Sequence, residues 1–302
     1  MKKPVKIFLS SLGIIVLTVV TGLAASMLVL YPHYRSSKEP VNCEAPSDGS
    51  VRVMSCNVRC LTPFDFGKKN WFYRADLIAD NLRNNAPTVI GFQEVTKWQY
   101  SYLTEVLPGF DSVITYRDKM FNSEGCPVFY RSDLYELIDK NSFWLSETPD
   151  EMSKDWGAAC YRICSYVILE NKADGKQFVV FNTHLDHVSD EARINGINVV
   201  LDKIKEFGSL PAVIMGDFNA GEGSETYKSA TENFLDAKYQ TSDTMTGATY
   251  QNWGQTPDRE NIDYFMISKT GFEVKEYKVI TDTCDGVYPS DHFPIFTALS
   301  LK

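Results

Sequence analysis

The chain has 302 residues, of which 44% are hydrophobic and 23% are charged, so it can bury a sizeable core and is not a disordered chain. Its formal net charge is -9, and the residues beyond 48 hold 25 basic against 36 acidic side chains. Tight sequence-independent binders of nucleic acid normally carry a basic footprint, so this balance disfavours that class.

The first predicted element is a long uncharged segment near the N-terminus. Residues 7–34 contain no Asp, Glu, Lys or Arg, and 7–30 are mostly Ile, Leu, Val and Ala. A helix of about 20 such residues crosses a bilayer, so we predict a transmembrane anchor over 7–30 after a cytoplasmic segment over 1–6. Basic residues favour the cytoplasmic side, which predicts an extracytoplasmic domain; they are Lys2, Lys3 and Lys6. The alternative is a cleaved secretory signal, which would leave a secreted protein.

Residues 31–48 follow the predicted anchor and are rich in proline and serine, with no periodic apolar pattern. They are interpreted as a linker, and the folded domain is predicted to cover 49–302.

Short apolar runs, often β-branched, recur through the domain and predict buried strands. They are Val51–Ser55, Thr88–Phe92, Val128–Tyr130, Tyr166–Leu169, Phe178–Phe181, Ala212–Met215, Ile262–Ile267 and Ile295–Leu299. Helices are predicted over Trp71–Leu82, Trp98–Leu107 and Glu191–Phe207. Strands mixed with helices over this length indicate a layered α/β or α+β domain.

Six polar clusters terminate apolar strands, where a sheet scaffold presents loops for chemistry. They are Ser55–Arg59, Gln93–Glu94, Asn182–Asp186, Gly216–Asn219, Ile262–Tyr264 and Ser290–Pro294. A single cluster has an ordinary explanation: Glu94 alone fits a solvated carboxylate at a strand end, and Asp217 with Asn219 fits a turn capped by side-chain hydrogen bonds.

In this order, the six clusters resemble the endonuclease/exonuclease/phosphatase superfamily. This superfamily includes deoxyribonuclease I type nucleases, apurinic endonucleases, deadenylases, neutral sphingomyelinases and inositol polyphosphate phosphatases. The resemblance covers about residues 50–302, and Ser290–Pro294 is its most specific part. It implies a deoxyribonuclease I-like four-layer α/β sandwich, with two packed sheets, helices outside and the site at one edge.

The resemblance also implies a metal site. Phosphoester cleavage needs compensation of charge on the phosphate, an activated water and a stabilised leaving oxygen. Glu94 and Asp291 match the principal metal ligands, with Asn57 beside them. Oxygen ligands of this kind suit Mg²⁺ or Mn²⁺ rather than zinc.

Two histidines match catalytic positions of the superfamily. His292 matches the histidine that acts on the water or the phosphate, and Asp263 the carboxylate that orients it. His184 matches a second phosphate-contacting histidine, and its expected partner is Glu124.

Further polar residues complete the expected site. Asp217 and Asn219 are expected at the leaving or attacking oxygen, and Arg59 at a substrate phosphate, with a surface ion pair as the alternative for Arg59. Asp186 and His187 fit either the site or a solvated loop.

The stretch from Ser142 to Arg162 resembles a bacterial subgroup of uncharacterised members. Its aromatic residues and Arg162 are expected to form a substrate wall, or else the stretch is a long loop packed over the sheet.

Three functions stay open at this point. The first is a phosphodiesterase or phosphatase that acts on an extracytoplasmic small molecule or lipid headgroup. The second is a nuclease, either an endonuclease or a deadenylase-like 3'-5' exonuclease, although the acidic charge disfavours duplex DNA. The third is a non-catalytic binding module, which is disfavoured because every ligand and histidine position is filled.

Overall fold

Two β-sheets and the helices around them account for the fold in the computed structural model, which describes residues 11–26, 38–256 and 261–302. In chain order the strands of these ranges are β1 (Val51–Asn57), β2 (Val89–Gln93), β3 (Phe110–Val113), β4 (Val128–Arg131), β5 (Tyr135–Trp144), β6 (Ile163–Asn171), β7 (Gln177–His184), β8 (Ala212–Asp217), β9 (Phe234–Asp236), β10 (Thr244–Met245), β11 (Asp263–Ser268), β12 (Phe272–Val279) and β13 (Ile295–Leu301). The helices are α1 (11–26), α2 (Trp71–Asn85), α3 (Lys97–Val106), α4 (Asp190–Lys205) and α5 (Glu225–Asn233), with 3₁₀ turns at Gly67–Lys69 and Ala237–Tyr239.

The strand order brings several strand ends to one edge of the domain. One sheet has the order β10-β12-β13-β1-β2-β4-β3 and the other the order β5-β6-β7-β8-β11-β9. β1 pairs in parallel with β2, and β7 with β8, while β11 runs antiparallel to β8. The last residues of β1, β2, β7 and β8 and the first residue of β11 therefore lie at the same edge, together with five of the six predicted polar clusters.

Three apolar clusters fill the spaces between four layers. One lies between the sheets and includes Val53, Val180 and Phe265. The second packs α2 and α3 on the outside of the first sheet, and the third packs α4 and α5 on the outside of the second. The predicted α/β sandwich with helices outside two packed sheets is therefore confirmed.

The sheets approach closely at Gly91 in β2. A Cβ atom built there would lie 2.4 Å from the Met215 side chain and 2.8 Å from that of Asn182, so a larger residue would force the sheets apart. Asn182 itself donates to the carbonyls of Phe92 and Pro127, which ties the second sheet to the first.

Every predicted strand and helix lies within an observed element or overlaps it. The elements that the apolar runs missed are β3, β5, β9, β10, β12 and α5. β5 is an edge strand with many exposed residues, and β12 alternates buried with exposed positions, so neither forms a continuous apolar run. α5 buries only Thr226 and Ala230, which gives too weak a stripe to predict a helix.

The N-terminal prediction falls partly outside the described residues, because the predicted cytoplasmic segment 1–6, residues 7–10 and 27–30 of the predicted anchor and the linker residues 31–37 are not described. Residues 11–26 are helical and exposed. Among the described residues, no helix has the length and apolar character needed to cross a bilayer, so the predicted transmembrane helix is not supported by the structure.

The described chain resumes at residue 38 and packs at once against the domain. The backbone N–H of the buried Val41 donates to the Val106 carbonyl at 2.7 Å, and Lys38 Nζ lies 2.5 Å from Glu105 Oε2. Glu105 and Val106 are the last residues of α3. The chain therefore joins the domain at the C-terminal end of this helix.

Candidate active site

A cavity of about 360 Å³ opens at the edge where the strand ends meet. Nine of the sequence-predicted site residues line it: Arg59, Glu94, Glu124, Arg162, His184, Asp217, Asn219, Asp291 and His292. The remaining two, Asn57 and Asp263, hold lining residues by hydrogen bonds. The structure thus brings together all of the predicted site residues, which lie up to 235 positions apart in the chain.

His292 and Asp263 form the predicted buried pair. Asp263 is the first residue of β11 and lies opposite Asp217 in register, while His292 comes from the loop before β13. His292 Nδ1 lies 2.9 Å from Asp263 Oδ2, and its Nε2 lies 3.6 Å from Asp217 Oδ2. Burial opposes protonation of His292, but the charges of Asp263 and Asp217 prevail and raise its pKa to about 10. With Nδ1 held by Asp263, Nε2 is the atom that faces the cavity.

Asp217, the last residue of β8, lies between the two halves of the site. Its Oδ2 accepts from Asn57 Nδ2 at 3.0 Å, and its Oδ1 accepts from the backbone N–H of Asn219 at 2.8 Å. Burial, reinforced by the charge of Asp263, raises the pKa of Asp217 to about 7. A carboxyl group with this pKa can take up or release a proton near neutral pH.

Asn219 has a left-handed backbone conformation, with φ of 49°. Its side-chain amide donates to the Leu185 carbonyl at 3.0 Å, which fixes the loop after β8 against the loop after β7. Asn219 therefore lines the cavity as predicted, with its amide nitrogen already engaged.

Glu94 and Asp291 are the predicted metal-binding carboxylates, and Asn57 lies beside Glu94. Glu94 accepts from the Cys60 backbone N–H at 2.9 Å and from Asn57 Nδ2 at 3.1 Å. Burial opposes ionisation of Glu94, but the Cys60 N–H and the charge of Arg59 prevail and lower its pKa. Burial raises the pKa of Asp291, and although the charge of His292 opposes that rise, the nearby charge of Glu94 adds to it.

This donor set fits a divalent cation. Glu94 and Asp291 lie close enough to repel each other, and carboxylates of this kind are the hard oxygen ligands that Mg²⁺ and Mn²⁺ take. Asn57 turns its amide nitrogen toward Glu94, while its oxygen accepts from the Arg59 backbone N–H at 2.9 Å. Asp217, Asp263 and His292 also present ligand atoms within 4.8 Å of one another. In that second group, however, the Nδ1 atom of His292 already pairs with Asp263, which is the arrangement of a proton-transfer pair.

The contact predicted between His184 and Glu124 is replaced by two others. His184, the last residue of β7, places Nε2 3.4 Å from Asp217 Oδ2. Glu124 accepts instead from Arg117 Nη2 at 2.8 Å. Arg117 lines the cavity and was missed, because it lies in the loop after β3 and belongs to none of the polar clusters at strand ends. Burial, together with the charges of Arg162 and Arg117, lowers the pKa of His184 well below its usual value.

The predicted substrate wall is only partly present. Of the stretch from Ser142 to Arg162, the residues that line the cavity are Cys160 and Arg162. The indole of Trp144 donates to the Arg117 carbonyl at 2.8 Å, so this aromatic residue supports the wall from behind.

Arg59 forms the ion pair considered as its alternative role and also lines the cavity. Its Nε atom lies 3.1 Å from Asp65 Oδ2 and 3.9 Å from Asp291 Oδ2, so the guanidinium forms an ion pair while lining the cavity. Its backbone conformation is left-handed, with φ of 52°, which turns the chain after β1 toward the cavity.

Arg74 is a buried residue of α2 that holds two of the loops around the cavity and was missed. Its guanidinium donates to the carbonyls of Val58 at 2.6 Å, Arg59 at 2.8 Å and Pro289 at 2.9 Å. These carbonyls lie next to Asn57 and to the segment with Asp291. A charged residue within the apolar stripe of a helix was the signal that could have found it.

Residues 54–292 match the sequence pattern of the Endonuclease/Exonuclease/phosphatase family. The fold is similar to that of an endonuclease/exonuclease/phosphatase from Bacteroides vulgatus, with a TM-score of 0.80 and 34% identity over 84% of this chain and 99% of that one. It is also similar to a mannosyl-6-phosphatase from Bacteroides thetaiotaomicron, with a TM-score of 0.78 and 32% identity over 83% of this chain and all of that one.

A curated relative is the CCR4-Not complex 3'-5'-exoribonuclease subunit Ccr4 of Aspergillus niger, which is 23% identical over 83% of this chain. The match spans 52% of that protein, so the chain corresponds to about half the length of this relative.

Proposed function

The chain belongs to the endonuclease/exonuclease/phosphatase family, whose members are hydrolases of phosphoester bonds, and we propose that it is a divalent-metal-dependent phosphoester hydrolase. The observation that carries the proposal is the buried pair of His292 and Asp263, whose free Nε2 faces Asp217 at 3.6 Å in the same cavity as Glu94 and Asp291. This is a set of proton-transfer groups beside a cation site, which is what phosphoester hydrolysis requires.

Each residue has a separate task in this proposal. Glu94 and Asp291 would hold the cation, with Asn57 beside them, and a cation held there would supply compensation of the negative charge on the phosphate oxygens. His292, with its pKa raised to about 10, carries a proton on Nε2 at neutral pH and donates it toward a phosphate oxygen. Asp217, with a pKa of about 7, accepts a proton from the attacking water. His184 and Asn219 border the space where the attacking and leaving oxygens lie.

The substrate that we propose is a small phosphoester rather than nucleic acid. The acidic charge of the chain supports this choice, because phosphate neutralisation by basic residues supplies most nucleic-acid affinity. The similarity to a mannosyl-6-phosphatase at 32% identity supports it further. The Ccr4 relative keeps a 3'-5' exonuclease as the second candidate.

We also propose that the segment 7–30 anchors the protein in a membrane with the domain outside the cytoplasm. The apolar run after three lysines supports this orientation. The chain joins the domain at the C-terminal end of α3, whereas Gln99 near its other end donates to the Arg59 carbonyl at the cavity. An anchor would therefore be attached remote from the cavity, which favours a soluble phosphoester over a headgroup of the anchoring bilayer.

The test is hydrolysis by the full chain of three substrate groups with Mg²⁺, with Mn²⁺ and with EDTA: sugar phosphates, phospholipids and oligoribonucleotides. We expect metal-dependent release of phosphate from sugar phosphates. Preferred cleavage of the oligoribonucleotides would select the second candidate, and hydrolysis that persists in EDTA would overturn the metal mechanism.

A further inference from the structure

One end of the cavity carries two arginines to which the proposed mechanism gives no task, and Glu124 pairs with one of them, Arg117. We define this basic end as Arg117, Arg162, His184 and His187, which line the cavity together. Arg162 is only 5% exposed, so its charge is buried within the protein. A buried charge is costly unless a partner neutralises it, and the ion-pair partner of Arg162 is Asp186, at 3.7 Å.

Among the residues that the structure describes, no carboxylate accepts a hydrogen bond from Arg162. Its Nη2 atom donates to His187 Nδ1 at 2.9 Å, and its Nε atom has no hydrogen-bond partner. Asp186 Oδ2 lies 3.7 Å from this Nε atom, beyond hydrogen-bond distance. Asp186 is moreover occupied by four backbone N–H groups, those of Ala159, Cys160, Val188 and Ser189.

The two histidines of the basic end do not supply a competing positive charge. Burial and the charge of Arg162 lower the pKa of both His184 and His187, so both imidazoles are neutral near pH 7. His184 also lies 3.4 Å from Asp217, which in turn lies 3.6 Å from His292.

The cavity ends beside Arg162 in a hollow of about 10 Å³. Its walls are Glu94, Arg117, Glu124, Gly125, Cys126, Arg162, Ile163 and His184, so the hollow lies between Arg162 and the proposed cation ligand Glu94. Cys126 and Ile163 are 5% and 2% exposed, so the chain closes the hollow from behind. A space of about 10–15 Å³ holds roughly one water-sized group, which is enough for a single oxygen atom and too small for an ester substituent.

Charge and shape therefore point to the same ligand. A phosphomonoester carries about -1.5 to -2 charges near pH 7 and has three oxygens without a substituent. A diester carries one charge less and places a second organic group on one of these oxygens. We propose that Arg162 makes this enzyme selective for phosphomonoesters by binding the oxygen that in a diester would carry the second ester group. The inference rests on the proposed function and narrows its substrate class.

The selective step has simple products. Water adds its oxygen to phosphorus and gives a proton to Asp217, the single ester P–O bond breaks, and the leaving oxygen takes up the proton that His292 donates. Inorganic phosphate and an alcohol are released, and phosphate retains the free oxygen that Arg162 binds.

The test compares p-nitrophenyl phosphate with bis(p-nitrophenyl) phosphate in the presence of Mg²⁺. We expect the wild-type protein to prefer the monoester by at least about tenfold in kcat/KM. Arg162→Met should lower kcat/KM for the monoester by about 10- to 100-fold, the usual value of a hydrogen bond to a charged group, and change the diester less than about threefold. Arg52→Met, on β1 and outside the cavity lining, is the matched control and should change neither.

An equal fall for both esters would overturn the proposal, because Arg162 would then serve binding or structure in general. A wild-type preference for the diester would overturn it as well. Should Arg162→Met not fold, Arg162→Lys retains the buried charge with fewer donors and should lose part of the preference for the monoester. Arg162→Gln removes the charge altogether and serves as the second variant. If both Arg162→Lys and Arg162→Gln fold and keep the wild-type ratio of monoester to diester kcat/KM, the assignment is contradicted.

A binding measurement separates this inference from the proposed function. In the His292→Ala background with Mg²⁺, calorimetry should show phenyl phosphate binding at least about tenfold more tightly than diphenyl phosphate, and Arg162→Met should remove the difference. If this difference is found while the wild-type protein hydrolyses neither ester, the proposed function fails and the subsite stands. If hydrolysis is found and the difference does not depend on Arg162, the subsite fails and the proposed function stands.

Discussion

The two ends of the cavity are built in different ways. We define the acidic end as Asn57, Glu94, Asp217 and Asp291. The first three lie on or directly after the ends of strands in the two sheets, and Asp291 lies in the loop before β13. The basic end draws Arg117 from the loop after β3 and Arg162 from the residue before β6. The acidic end is joined by direct side-chain hydrogen bonds such as Asn57 to Asp217, whereas Arg162 has no such carboxylate partner among the described residues.

This difference indicates how the tasks are divided. Groups that must keep fixed positions around a cation and a proton lie on the rigid ends of strands. Groups that recognise the outer part of a substrate lie on loops, which tolerate change in sequence. We therefore expect substitutions at the acidic end to abolish turnover, and substitutions at the basic end to change which substrates are turned over.

The largest expected effect is the loss of the cation at the acidic end. EDTA should abolish hydrolysis, and added Mg²⁺ or Mn²⁺ should restore it. Glu94→Gln keeps the shape but removes one ligand charge, so it should weaken metal binding and recover part of its activity when Mg²⁺ is raised. Glu136→Gln, at an exposed position on β5, is the control. Its activity should depend on the Mg²⁺ concentration as that of the wild-type protein does.

The next effect is the loss of proton transfer without loss of the cation. His292→Ala should fold, bind metal and lose about 10²- to 10⁴-fold in kcat, the usual contribution of a positioned acid or base. Asp263→Asn should resemble it, because Asp263 holds Nδ1 of His292 at 2.9 Å. The double variant should be little worse than either single one, since the two residues act as a unit. Near-normal turnover in a folded His292→Ala protein would show that the central assignment is wrong.

The same contrast explains what the sequence alone could predict. The sequence predicted the strands that lead to four residues of the site: Asn57, Glu94, His184 and Asp217. Parallel pairing of these strands brings the four residues together, as expected. The pairing of Glu124 with Arg117 could not be predicted from the sequence, because both residues lie in the loop between β3 and β4. Contacts between loops depend on the turns between them, and neither periodicity nor a motif fixes those turns.

Arg74 supports the acidic end from behind and does not line the cavity. Because its guanidinium holds the carbonyls of Val58, Arg59 and Pro289, Arg74→Met leaves buried acceptors without donors. We expect a loss of about 2–3 kcal/mol in the free energy of unfolding, measured with urea. Metal affinity should weaken, while the ratio of monoester to diester activity stays unchanged. Arg83→Met, at the C-terminal end of the same helix, is the control and should lose less than about 1 kcal/mol.

The smallest expected effect concerns the carboxylate that supports the basic end. Burial opposes ionisation of Asp186, but backbone N–H groups that include those of Ser189 and Val188 prevail and lower its pKa to about 2. A folded-state pKa below the unfolded value means that the carboxylate contributes stability above about pH 4 and loses that contribution as the pH falls through about 2. Asp186→Asn should therefore reduce the free energy of unfolding at pH 7 by about 1 kcal/mol once solvent screening is allowed for. Urea titrations of both proteins from pH 7 down to pH 2 should show this difference shrinking with acid, whereas a difference that is constant over the whole range would mean that the ionised carboxylate does not hold the basic end in place.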